Sequence, residues 1–373
     1  METNKKKRVL VLNYEFPPLG GGAGNATFYL LKEFAKYKDL DIDLITSSVD
    51  KFRIEKFSNN INIHYLDINK KGNLHYQSIK DLLKYSFKAY QYSKKLKKEK
   101  KYNLIHAFFG IPCGYIAMKL GIPYIVSLRG ADVPFHKKRF YWLDKLIFKN
   151  LSKKIWRKAR VVIANSQGLK EAAWKTSIKQ DIKVICNGID TDKFKPCLDK
   201  KIGKIIKLIS VGRLATEKGY NYLLESLIGI NNVSLTLVGS GPLERELKEL
   251  SNKLDIKVDF VGRIDSRNVI QKLQDSDIYV SSSIKEGMSN SVLEAMACGL
   301  PVITTNVGGS KELVKNNGLI VDKGSVSSLR EAIVKLVNDF DLIYKMRENS
   351  RSLAKTMSWA KAASIYKKIY ELA

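Results

Sequence analysis

The segment from Glu286 to Glu294 places two carboxylates eight positions apart. Steps of about 100° put these side chains on different faces of a helix, so we predict Glu286 in a loop and Glu294 in the helix that follows. A carboxylate in such a loop can accept hydrogen bonds from sugar hydroxyls, and one in the first helical turns can hold a ribose diol. The backbone amides of the helix start would then point at a bound ligand. These residues are Gly287, Met288, Ser289, Asn290 and Ser291.

The same segment has a purely structural interpretation. Ser291 and Glu294 have the spacing of a capping box, in which the glutamate binds the backbone of its own helix. Gly287 and Gly299 would then mark ordinary helix ends. Taken alone, the segment leaves both interpretations open.

A second candidate pairs two cations across a predicted strand-to-helix turn. Arg213 and Lys218 stand five residues apart in a turn that begins at Gly212 and ends at Gly219. A forked guanidinium and an ammonium placed in this way can bind a diphosphate. An exposed turn also explains these residues, and Gly219 suits it.

A glycine-rich loop follows the first predicted strand, with Gly21 and Gly22 at its centre, in the stretch from Phe16 to Gly24. Glycines between a strand and a helix let backbone amides approach an anion, and the helix start adds the positive end of its dipole. The spacing matches neither the dinucleotide-binding fingerprint nor a P-loop, which would need Lys followed by Ser or Thr. A tight turn is the alternative interpretation.

The elements that must position these residues alternate between short apolar runs and helical patterns. Many of the runs are β-branched and continuous, which is typical of parallel strands buried on both faces. The alternation predicts βαβ units, and a segment without clear periodicity, residues 190–203, predicts a linker. We therefore expect two doubly wound α/β domains that face one cleft, in residues 1–190 and 204–356, with ligands at the carboxyl ends of the strands. His106, at the end of one apolar run, suits a buried position as well as a role in the cleft.

The predicted strands of the first half are 8–13, 43–46, 62–66, 104–108, 124–128, 161–165 and 183–186, with helices between them that include 25–37 and 78–98. Those of the second half are 205–211, 234–238, 257–261, 277–281, 301–304 and 319–321.

The net charge of +28 is unevenly distributed. Residues 1–190 contain 37 Lys and Arg against 16 Asp and Glu, a net charge of +21. Residues 136–160 concentrate this charge in a predicted amphipathic helix with ten basic residues, one acid and several aromatic residues, among them Phe140, Trp142 and Trp156. The helix fits a core-facing element with a solvated basic back, or an anionic membrane surface. Because no RNA- or DNA-binding motif accompanies the charge, we expect a membrane partner rather than nucleic acid.

Several features indicate the cytoplasm. No apolar run approaches the roughly 18 residues that cross a bilayer, and the run behind the basic N-terminus is too short for a signal peptide. The four cysteines show no CxxC spacing and no nearby His pair, which is typical of reduced thiols rather than of a zinc site or disulfides. We expect a cytoplasmic protein that can attach peripherally to the inner face of the cell membrane.

Taken together, the motifs resemble those of glycosyltransferase family 4, the retaining "group 1" transferases. The order is the same along nearly the whole chain: the early glycine loop, Asn187-Gly188-Ile189-Asp190, the turn with Arg213 and Lys218, the glycine motif 237–242, and the Glu286–Glu294 segment. The resemblance implies a GT-B fold of two Rossmann-like domains, with the acceptor mostly on the first and the donor mostly on the second. It also implies that a C-terminal helix, 357–373, crosses back to the first domain.

The resemblance further implies roles for single residues. Arg213 and Lys218 correspond to ligands of the donor diphosphate, beside Gly212. Glu294 corresponds to the ribose ligand and Glu286 to a ligand of the donor sugar. The base falls at Arg263 and Ile264, and the glycine loop at Gly21 and Gly22 closes on the phosphates.

One stretch departs from the common family pattern. Many members have His-Gly-x-Asp in the first domain, with the histidine near the donor sugar, and here Arg129 takes that position before Gly130 and Asp132. We count Arg129 and Asp132 among the donor-binding candidates.

The expected chemistry is stabilisation of the leaving diphosphate by Arg213 and Lys218, helped by the backbone amides of the loop that carries Glu286. Glu286 is the third catalytic candidate, as a ligand of the donor sugar. We expect no metal or other cofactor, since no paired-carboxylate or DxD site is found at a strand end. The expected partners are a nucleoside-diphosphate sugar, linked to UDP or GDP, and a glycan or lipid-linked acceptor of bacterial cell-surface polysaccharide or glycolipid synthesis. An epimerase or a phosphorylase can share this fold. A basic nucleic-acid-binding protein is the alternative from another class, and it leaves the motifs unexplained.

Overall fold

The computed structural model describes residues 6–70, 74, 77–134, 147–178, 180–197 and 200–373. The chain divides into two units, of which the first comprises Met1–Asn187 and Trp359–Ala373 and the second comprises Gly188–Ser358. Each unit is built on its own β-sheet and has its own apolar core.

The first unit contains an eight-stranded sheet. Its strands are β1 (Lys7–Leu12), β2 (Leu40–Ser48), β3 (Arg53–Ser58), β4 (Ile61–Asp67), β5 (Leu104–Phe108), β6 (Tyr124–Leu128), β7 (Val161–Ala164) and β8 (Ile182–Val184). They lie in the order β3-β4-β2-β1-β5-β6-β7-β8, and all neighbours are parallel except β3 and β4. The chain order reverses between β1 and β5, so ligands are expected at the carboxyl ends of these two strands.

Helices connect these strands. The helices of the first unit before its last element are α1 (Gly22–Phe34), α2 (Ile79–Glu99), α3 (Tyr115–Leu120), α4 (Lys149–Lys158) and α5 (Gln167–Trp174). The longest, α2, begins with a complete capping box between Ser78 and Asp81, which satisfies two of the backbone donors that a helix start leaves without partners.

The second unit contains a six-stranded, fully parallel sheet. Its strands are β9 (Ile206–Val211), β10 (Val233–Val238), β11 (Val258–Gly262), β12 (Ile278–Ser281), β13 (Val302–Thr305) and β14 (Gly318–Val321). The order is β11-β10-β9-β12-β13-β14, and it reverses between β9 and β12. Its helices are α6 (Tyr220–Ser226), α7 (Glu244–Lys253), α8 (Ser266–Asp275), α9 (Asn290–Ala297), α10 (Ser310–Leu313), α11 (Val326–Val337) and α12 (Phe340–Thr356).

The last helix, α13 (Trp359–Leu372), belongs to the first unit. Trp359 stacks on Tyr29 of α1 with 5.7 Å between ring centroids. His106 of β5 is completely buried, and its two ring nitrogens lie 2.6 Å from the Tyr370 hydroxyl and 2.8 Å from the Ser127 hydroxyl. Burial lowers the pKa of His106 well below its usual range. Of the two positions that the sequence allowed for His106, the structure shows the buried one, where it fastens α13 to the sheet.

Three features of the fold differ from the sequence-based expectations: one strand, one helix start and the linker. Strand β3 was not predicted, because its sequence, RIEKFS, is polar and mostly exposed, as suits an edge strand. Helix α1 begins at Gly22 rather than near Asn25, so the glycine run forms its first turn. Residues 190–203, predicted as a linker, fall in the second unit. Arg351 of α12 holds this segment by donating to the carbonyls of Thr191 and Phe194 at 3.0 and 2.8 Å.

The basic helix predicted over 136–160 is seen only in part, because residues 135–146, with Phe140 and Trp142, lie outside the described residues. In α4, Ile155 and Trp156 are fully buried and the basic side chains lie outside. This part of the helix has the core-facing arrangement with a solvated back. Among the described residues, no helix combines the length and the apolar character needed to cross a bilayer.

Candidate active site

A polar pocket in the second unit lies at the carboxyl ends of β9 and β12, where the strand order reverses. Ligands of doubly wound sheets bind at this position. The pocket is lined by Ser210, Val211, Lys218, Tyr220, Tyr279, Ser281, Ser282, Ser283 and Ser291. Hydroxyl groups and one ammonium group therefore dominate its walls, which suits a ligand rich in oxygen atoms.

Lys218 and Glu286 form an ion pair at this pocket. The Lys218 Nζ and a Glu286 carboxylate oxygen are 2.5 Å apart, and each side chain is about one fifth exposed, at 21% and 22%. The pair joins two predicted site residues that are 68 positions apart in the sequence. An ammonium group has three donors, so Lys218 can keep Glu286 and still bind an anion.

Arg213 lies on the exposed side of the same turn and pairs with the carboxylate of Glu217. Both side chains of this pair are close to half exposed, at 47% and 40%. Exposed ion pairs contribute little to stability, so a diphosphate can replace Glu217 at a small cost in free energy.

Glycine is required where this turn approaches its neighbours. Gly219 has a φ of +61°, and a Cβ there would overlap the carbonyl oxygen of Ser282, which follows β12. Gly239 has a φ of +136°, and a Cβ there would overlap the backbone of Gly212. The glycine motif predicted after β10 therefore shapes the loop that carries Arg213.

The loop with Glu286 leads directly into α9, whose first helical residue is Asn290. The N-cap is Ser289, and its hydroxyl accepts a hydrogen bond from the Val292 amide at 3.4 Å. The helix is therefore not capped by Ser291, and the capping box of Ser291 with Glu294 does not form. Ser291 instead lies 2.8 Å from the hydroxyl of Tyr279 on β12.

A second loop braces the Glu286 loop from behind. The amide of Gly309 donates to the carbonyl of Gly287 at 2.6 Å. Gly308 has a φ of +52°, and a Cβ there would overlap the carbonyl oxygens of Gly287 and Glu286. Met288, in the middle of the braced loop, is 5% exposed. The loop is thus held rigidly by close backbone packing.

Glu294 lies in the second turn of α9. Burial raises its pKa to about 7, and the positive charge of Lys193 opposes this shift. Since the capping role is excluded, the structure gives this half-buried carboxylate no part in holding the helix start. A carboxylate kept in such a place is more typical of ligand binding than of folding.

The residues that were predicted to bind the nucleotide base lie apart from Lys218 and Glu286. Arg263 and Ile264 follow β11, the edge strand, which is separated from β9 by β10. Arg263 is exposed and Ile264 is half-buried. The structure therefore brings Lys218 and Ser291 to one pocket, pairs Glu286 with Lys218, and places Arg263 and Ile264 two strands away.

The glycine loop of the first unit lies at the reversal point between β1 and β5. Gly21 is the N-cap of α1 and Gly22 its first residue. The carboxylate of Glu15 accepts a hydrogen bond from the Gly21 amide at 3.2 Å. An anionic side chain thus bonds to the amide that was predicted to approach a phosphate, which agrees with the affinity of a helix start for anions.

Arg129 and Asp132 lie at the carboxyl end of β6. Asp132 is buried, and its carboxylate accepts from the amides of Gly110, Arg129 and Gly130 at 2.6, 2.9 and 3.0 Å. Burial raises the pKa of Asp132, and these hydrogen bonds oppose the shift. Asp132 therefore orders the loop that carries Arg129.

The Arg129 guanidinium lies over the Phe108 ring, 4.6 Å from its centroid, and donates to the Asn187 side chain at 3.0 Å. Its Nε and Nη2 atoms are buried and have no hydrogen-bond partner in the part of the chain that the structure describes. Two nitrogen atoms of this cation thus have hydrogen-bonding capacity that the described residues do not use.

Comparison with known proteins shows the family. Residues 197–353 match the family described as glycosyl transferases group 1, and residues 20–193 match glycosyltransferase family 4. The chain belongs to the group 1 glycosyltransferases. It is therefore an enzyme that transfers a sugar.

Relatives of this glycosyltransferase include proteins of archaea and bacteria. An uncharacterized glycosyltransferase of Methanocaldococcus jannaschii is 26% identical over 98% of each chain. The putative teichuronic acid biosynthesis glycosyltransferase TuaC of Bacillus subtilis is 32% identical over 62% of this chain and 61% of its own. The N-acetyl-alpha-D-glucosaminyl L-malate synthase of Bacillus anthracis is 28% identical over 95% of this chain and 94% of its own.

Solved structures show the same GT-B fold. Sucrose-phosphate synthase from Thermosynechococcus elongatus superposes with a TM-score of 0.84 at 21% identity, over 98% of this chain and all of its own. HepE of Anabaena, solved with UDP and glucose, has a TM-score of 0.74 at 21% identity, over 97% and 99% of the two chains.

Several residues of the glycosyltransferase's pocket were not among the predicted site residues. They include Tyr220, Tyr279 and the serines at the end of β12. Outside the pocket, Glu217 and, in the first unit, Glu15 were not predicted either. The run Ser281-Ser282-Ser283 carried a signal, because small polar residues directly after a buried strand lie where such sheets bind ligands. No sequence signal indicated that Glu217 pairs with Arg213 or that Glu15 binds the Gly21 amide. Among the described residues, no group of three or more His, Cys, Asp or Glu is placed to hold a metal ion.

Proposed function

We propose that this glycosyltransferase moves a hexosyl unit from a nucleoside-diphosphate sugar to a glycan or lipid-linked acceptor, with retention at the anomeric carbon and without a metal. The observation that carries the proposal is the Lys218–Glu286 ion pair beside Arg213, at the reversal point of the second sheet. It supplies two cations for a diphosphate and one carboxylate for sugar hydroxyls in a single place.

Arg213 and Lys218 act on the leaving group. As the bond between the anomeric carbon and the diphosphate breaks, negative charge grows on the phosphate oxygens, and nearby cations lower the free energy of that state. The new bond forms on the same face of the sugar, and the proton of the acceptor hydroxyl passes to a phosphate oxygen of the donor. No protein nucleophile is required, so the cations carry most of the chemical step.

The two glutamates bind the rest of the donor. Glu286 keeps one oxygen on Lys218 and accepts hydrogen bonds from sugar hydroxyls with the other. Glu294 accepts from the ribose diol, and the amides from Gly287 to Ser291 face the donor at the start of α9. Arg263 and Ile264 hold the base, and the distance of two strands between β11 and β9 leaves room for a nucleoside.

The first unit contains the other residues that the family motif assigns to the donor. The amides of Gly21 and Gly22 are candidates for binding phosphate in place of the Glu15 carboxylate. Arg129 is a candidate ligand of the sugar through its Nε and Nη2 atoms, which have no partner among the described residues, and Asp132 positions it. The roles of these four residues rest on the family motif together with the hydrogen bonds described above.

UDP or GDP is the proposed donor nucleotide, and cell-surface polysaccharide or glycolipid synthesis is the proposed context. Support for UDP comes from HepE, whose structure contains UDP and glucose. Support for the context comes from TuaC, which is named for teichuronic acid biosynthesis. The net charge of +21 in residues 1–190 favours a cytoplasmic enzyme attached peripherally to an anionic membrane.

Mass spectrometry of products tests the proposal. The purified enzyme is incubated with UDP- and GDP-sugars, with and without lipid and glycan acceptors, and in the presence of EDTA. We expect a glycosylated acceptor, undiminished by EDTA, whose anomeric configuration by NMR equals that of the donor. Conversion of the donor alone would indicate an epimerase, and a strict need for phosphate would indicate a phosphorylase. An inverted product would refute retention.

A further inference from the structure

We propose that helix α2 is the membrane-binding element of this enzyme and docks on an anionic lipid bilayer through an exposed apolar ridge. The ridge consists of Ile79, Leu83 and Phe87, which are 50%, 65% and 68% exposed. The biological purpose of this surface, access to a lipid-linked acceptor, rests on the proposed function. The binding itself can be tested without any turnover.

The ridge is a second apolar surface on a helix that already has a buried one. Tyr85, Ala89 and Leu96 of α2 are buried in the core of the first unit. A helix at the surface of a domain needs only that one apolar stripe. Ile79, Leu83 and Phe87 follow one another at intervals of four residues, so they form a line on a different side of the helix. Single exposed apolar residues are common, whereas an aligned group indicates a binding surface.

The charges beside the ridge identify the partner. Lys80, Lys84 and Lys88 each follow a ridge residue by one position, so they form a parallel row about 100° around the helix. All three are exposed. An apolar strip beside a lysine row is typical of helices that lie in the interface of a bilayer, with the strip among the acyl chains and the ammonium groups among the phosphates.

The whole helix is basic, with seven lysines against Asp81 and Glu99. Asp81 forms an ion pair with Lys70, in which the Lys70 Nζ lies 2.7 Å from the Asp81 carboxylate. A second copy of the chain is a poor partner for the ridge, because two-fold pairing of α2 would bring lysine rows together. An anionic lipid surface complements both the strip and the row.

The ridge begins close to the glycine loop of the first unit. Leu74, 38% exposed, precedes α2, and its carbonyl accepts a hydrogen bond from the Gly20 amide at 2.9 Å. The loop that was predicted to approach phosphate is therefore attached to the chain just before the ridge. An acceptor anchored in the bilayer would be presented beside that loop.

The helix α4 offers the opposite arrangement. Its apolar residues Ile155 and Trp156 are fully buried, and its exposed side carries Lys153, Lys154 and Arg157. It can attract an anionic surface, but between Lys149 and Lys158, the part of this basic segment that the structure describes as a helix, it has no comparable apolar line to insert. Insertion therefore distinguishes α2 from the general basicity of the unit.

Sedimentation with vesicles tests the proposal on the full-length protein in the absence of a donor. The vesicles are either pure phosphatidylcholine or three parts phosphatidylcholine to one part phosphatidylglycerol. We expect binding only to the second kind, weakened by high salt because the Debye length falls from about 10 Å at 0.1 M to 3 Å at 1 M. Binding to neither kind, or equal binding to both, would overturn the proposal.

Paired variants locate the surface. Leu83→Ser with Phe87→Ser removes the two most exposed of the three ridge residues without touching the core. We expect a partition coefficient at least about tenfold lower. Phe340→Ser with Tyr344→Ser is the matched control, because it removes two exposed aromatic side chains at the same spacing on α12, and it should bind as the wild type does. The triple change of Lys80, Lys84 and Lys88 to Gln should also weaken binding. Unchanged binding of the folded ridge variant would refute the assignment to α2.

Two further measurements separate this proposal from its rivals. If ultracentrifugation without vesicles shows a dimer that the ridge variant abolishes, the ridge is a contact between copies and the proposal is wrong. Donor binding by calorimetry should be the same in wild type and ridge variant. Donor binding without vesicle binding refutes the membrane proposal alone, and vesicle binding without donor binding refutes the proposed function alone.

Discussion

At the scale of single residues, the two cations of the second unit carry the strongest prediction. Arg213→Ala or Lys218→Ala removes a charge that stabilises the leaving diphosphate, an effect of roughly 2–4 kcal/mol in the transition state. We expect kcat/KM to fall by on the order of a hundredfold or more, measured with saturating acceptor. Arg245→Ala, at an exposed pair on α7, is the matched control and should leave activity unchanged. A folded double variant with near-normal turnover would remove both residues from the mechanism.

Glu286→Gln should behave differently from Lys218→Ala, although the two side chains are paired. The amide can still accept from Lys218 and from a sugar hydroxyl, but it does so more weakly because it is neutral. We expect Glu286→Gln to lose less turnover than Lys218→Ala. The fold-loss of the double variant should be smaller than the product of the two single fold-losses, since the partners act as a unit. Independent effects in this double-mutant cycle would contradict a functional pair.

The carboxylate of Glu294 gives a prediction about pH. Its pKa is about 7 in the folded protein and about 4.3 in an unfolded chain. Between these values the folded state holds the extra proton, so the stability contributed by this group falls as pH rises and is lowest above pH 7. Glu294→Gln, which stays neutral, should therefore raise the unfolding free energy at pH 8 by roughly 2–3 kcal/mol and change it little at pH 4.

The same variant should weaken binding of the donor, because a ribose contact is present before and during the reaction. Calorimetric titration and thermal melts on one preparation measure both effects. Glu348→Gln, an exposed glutamate of α12, is the control for the charge change. A variant that melts lower at pH 8 and binds the donor normally would restore a purely structural role for Glu294.

At the scale of elements, the loop from Glu286 to Ser289 depends on the loop that braces it. Gly308→Ala combines two costs, the strain of a positive φ, about 1–2 kcal/mol, and overlap with the carbonyl of Gly287. Gly229→Ala shares the strain, since its φ is +70°, but its nearest neighbour, Arg330, is 3.9 Å away. We expect Gly308→Ala to lower both the melting temperature and kcat, and Gly229→Ala to lower the melting temperature slightly with kcat unchanged. Equal kcat values in the two variants would show that the brace has no part in catalysis.

The elements also show what the sequence could predict. Parallel strands buried on both faces appear as continuous apolar runs, so β5 and β6 have the predicted bounds and the other predicted strands differ by a few residues at their ends. Strand β3 has no such run, because an exposed edge needs no apolar face. The segment 190–203 has no periodicity either. Its tertiary contacts, among them the hydrogen bonds of Arg351 to its carbonyls and the ion pair of Lys200 with Asp277, show which unit it joins.

The candidate site divides in the same way. The motifs predicted which residues stand at strand ends, since that depends on local spacing. They could not predict that Lys218 pairs with Glu286 or that Arg213 pairs with Glu217, because either cation could have taken either acid. The capping-box spacing of Ser291 and Glu294 was also misleading. Ser289 and Ser291 have the same propensity for the N-cap position, and only the observed start of α9 at Asn290 decides between them.

At the scale of the whole molecule, the last helix decides whether the first unit folds. Helix α13 buries Trp359, Tyr366, Ile369 and Tyr370 in the core of that unit. Four large side chains at roughly 1.5–3 kcal/mol each amount to about 6–12 kcal/mol, which is comparable to the full stability of a typical protein. We therefore expect that the first unit cannot complete its fold without residues 359–373.

Deletion of residues 359–373 should consequently unfold the first unit and spare the second. It exposes apolar core surface and leaves His106 buried without its Tyr370 partner, whereas the second unit contains no residue of α13. Hydrogen exchange followed by mass spectrometry should show lost protection in β1, β5 and β6 and retained protection in β9, β12 and β13. Leu372→Ser is the control, because Leu372 is 87% exposed and the change leaves the core residues of α13 in place. Retained protection throughout the first sheet after the longer deletion would mean that α13 only covers a core that is stable without it.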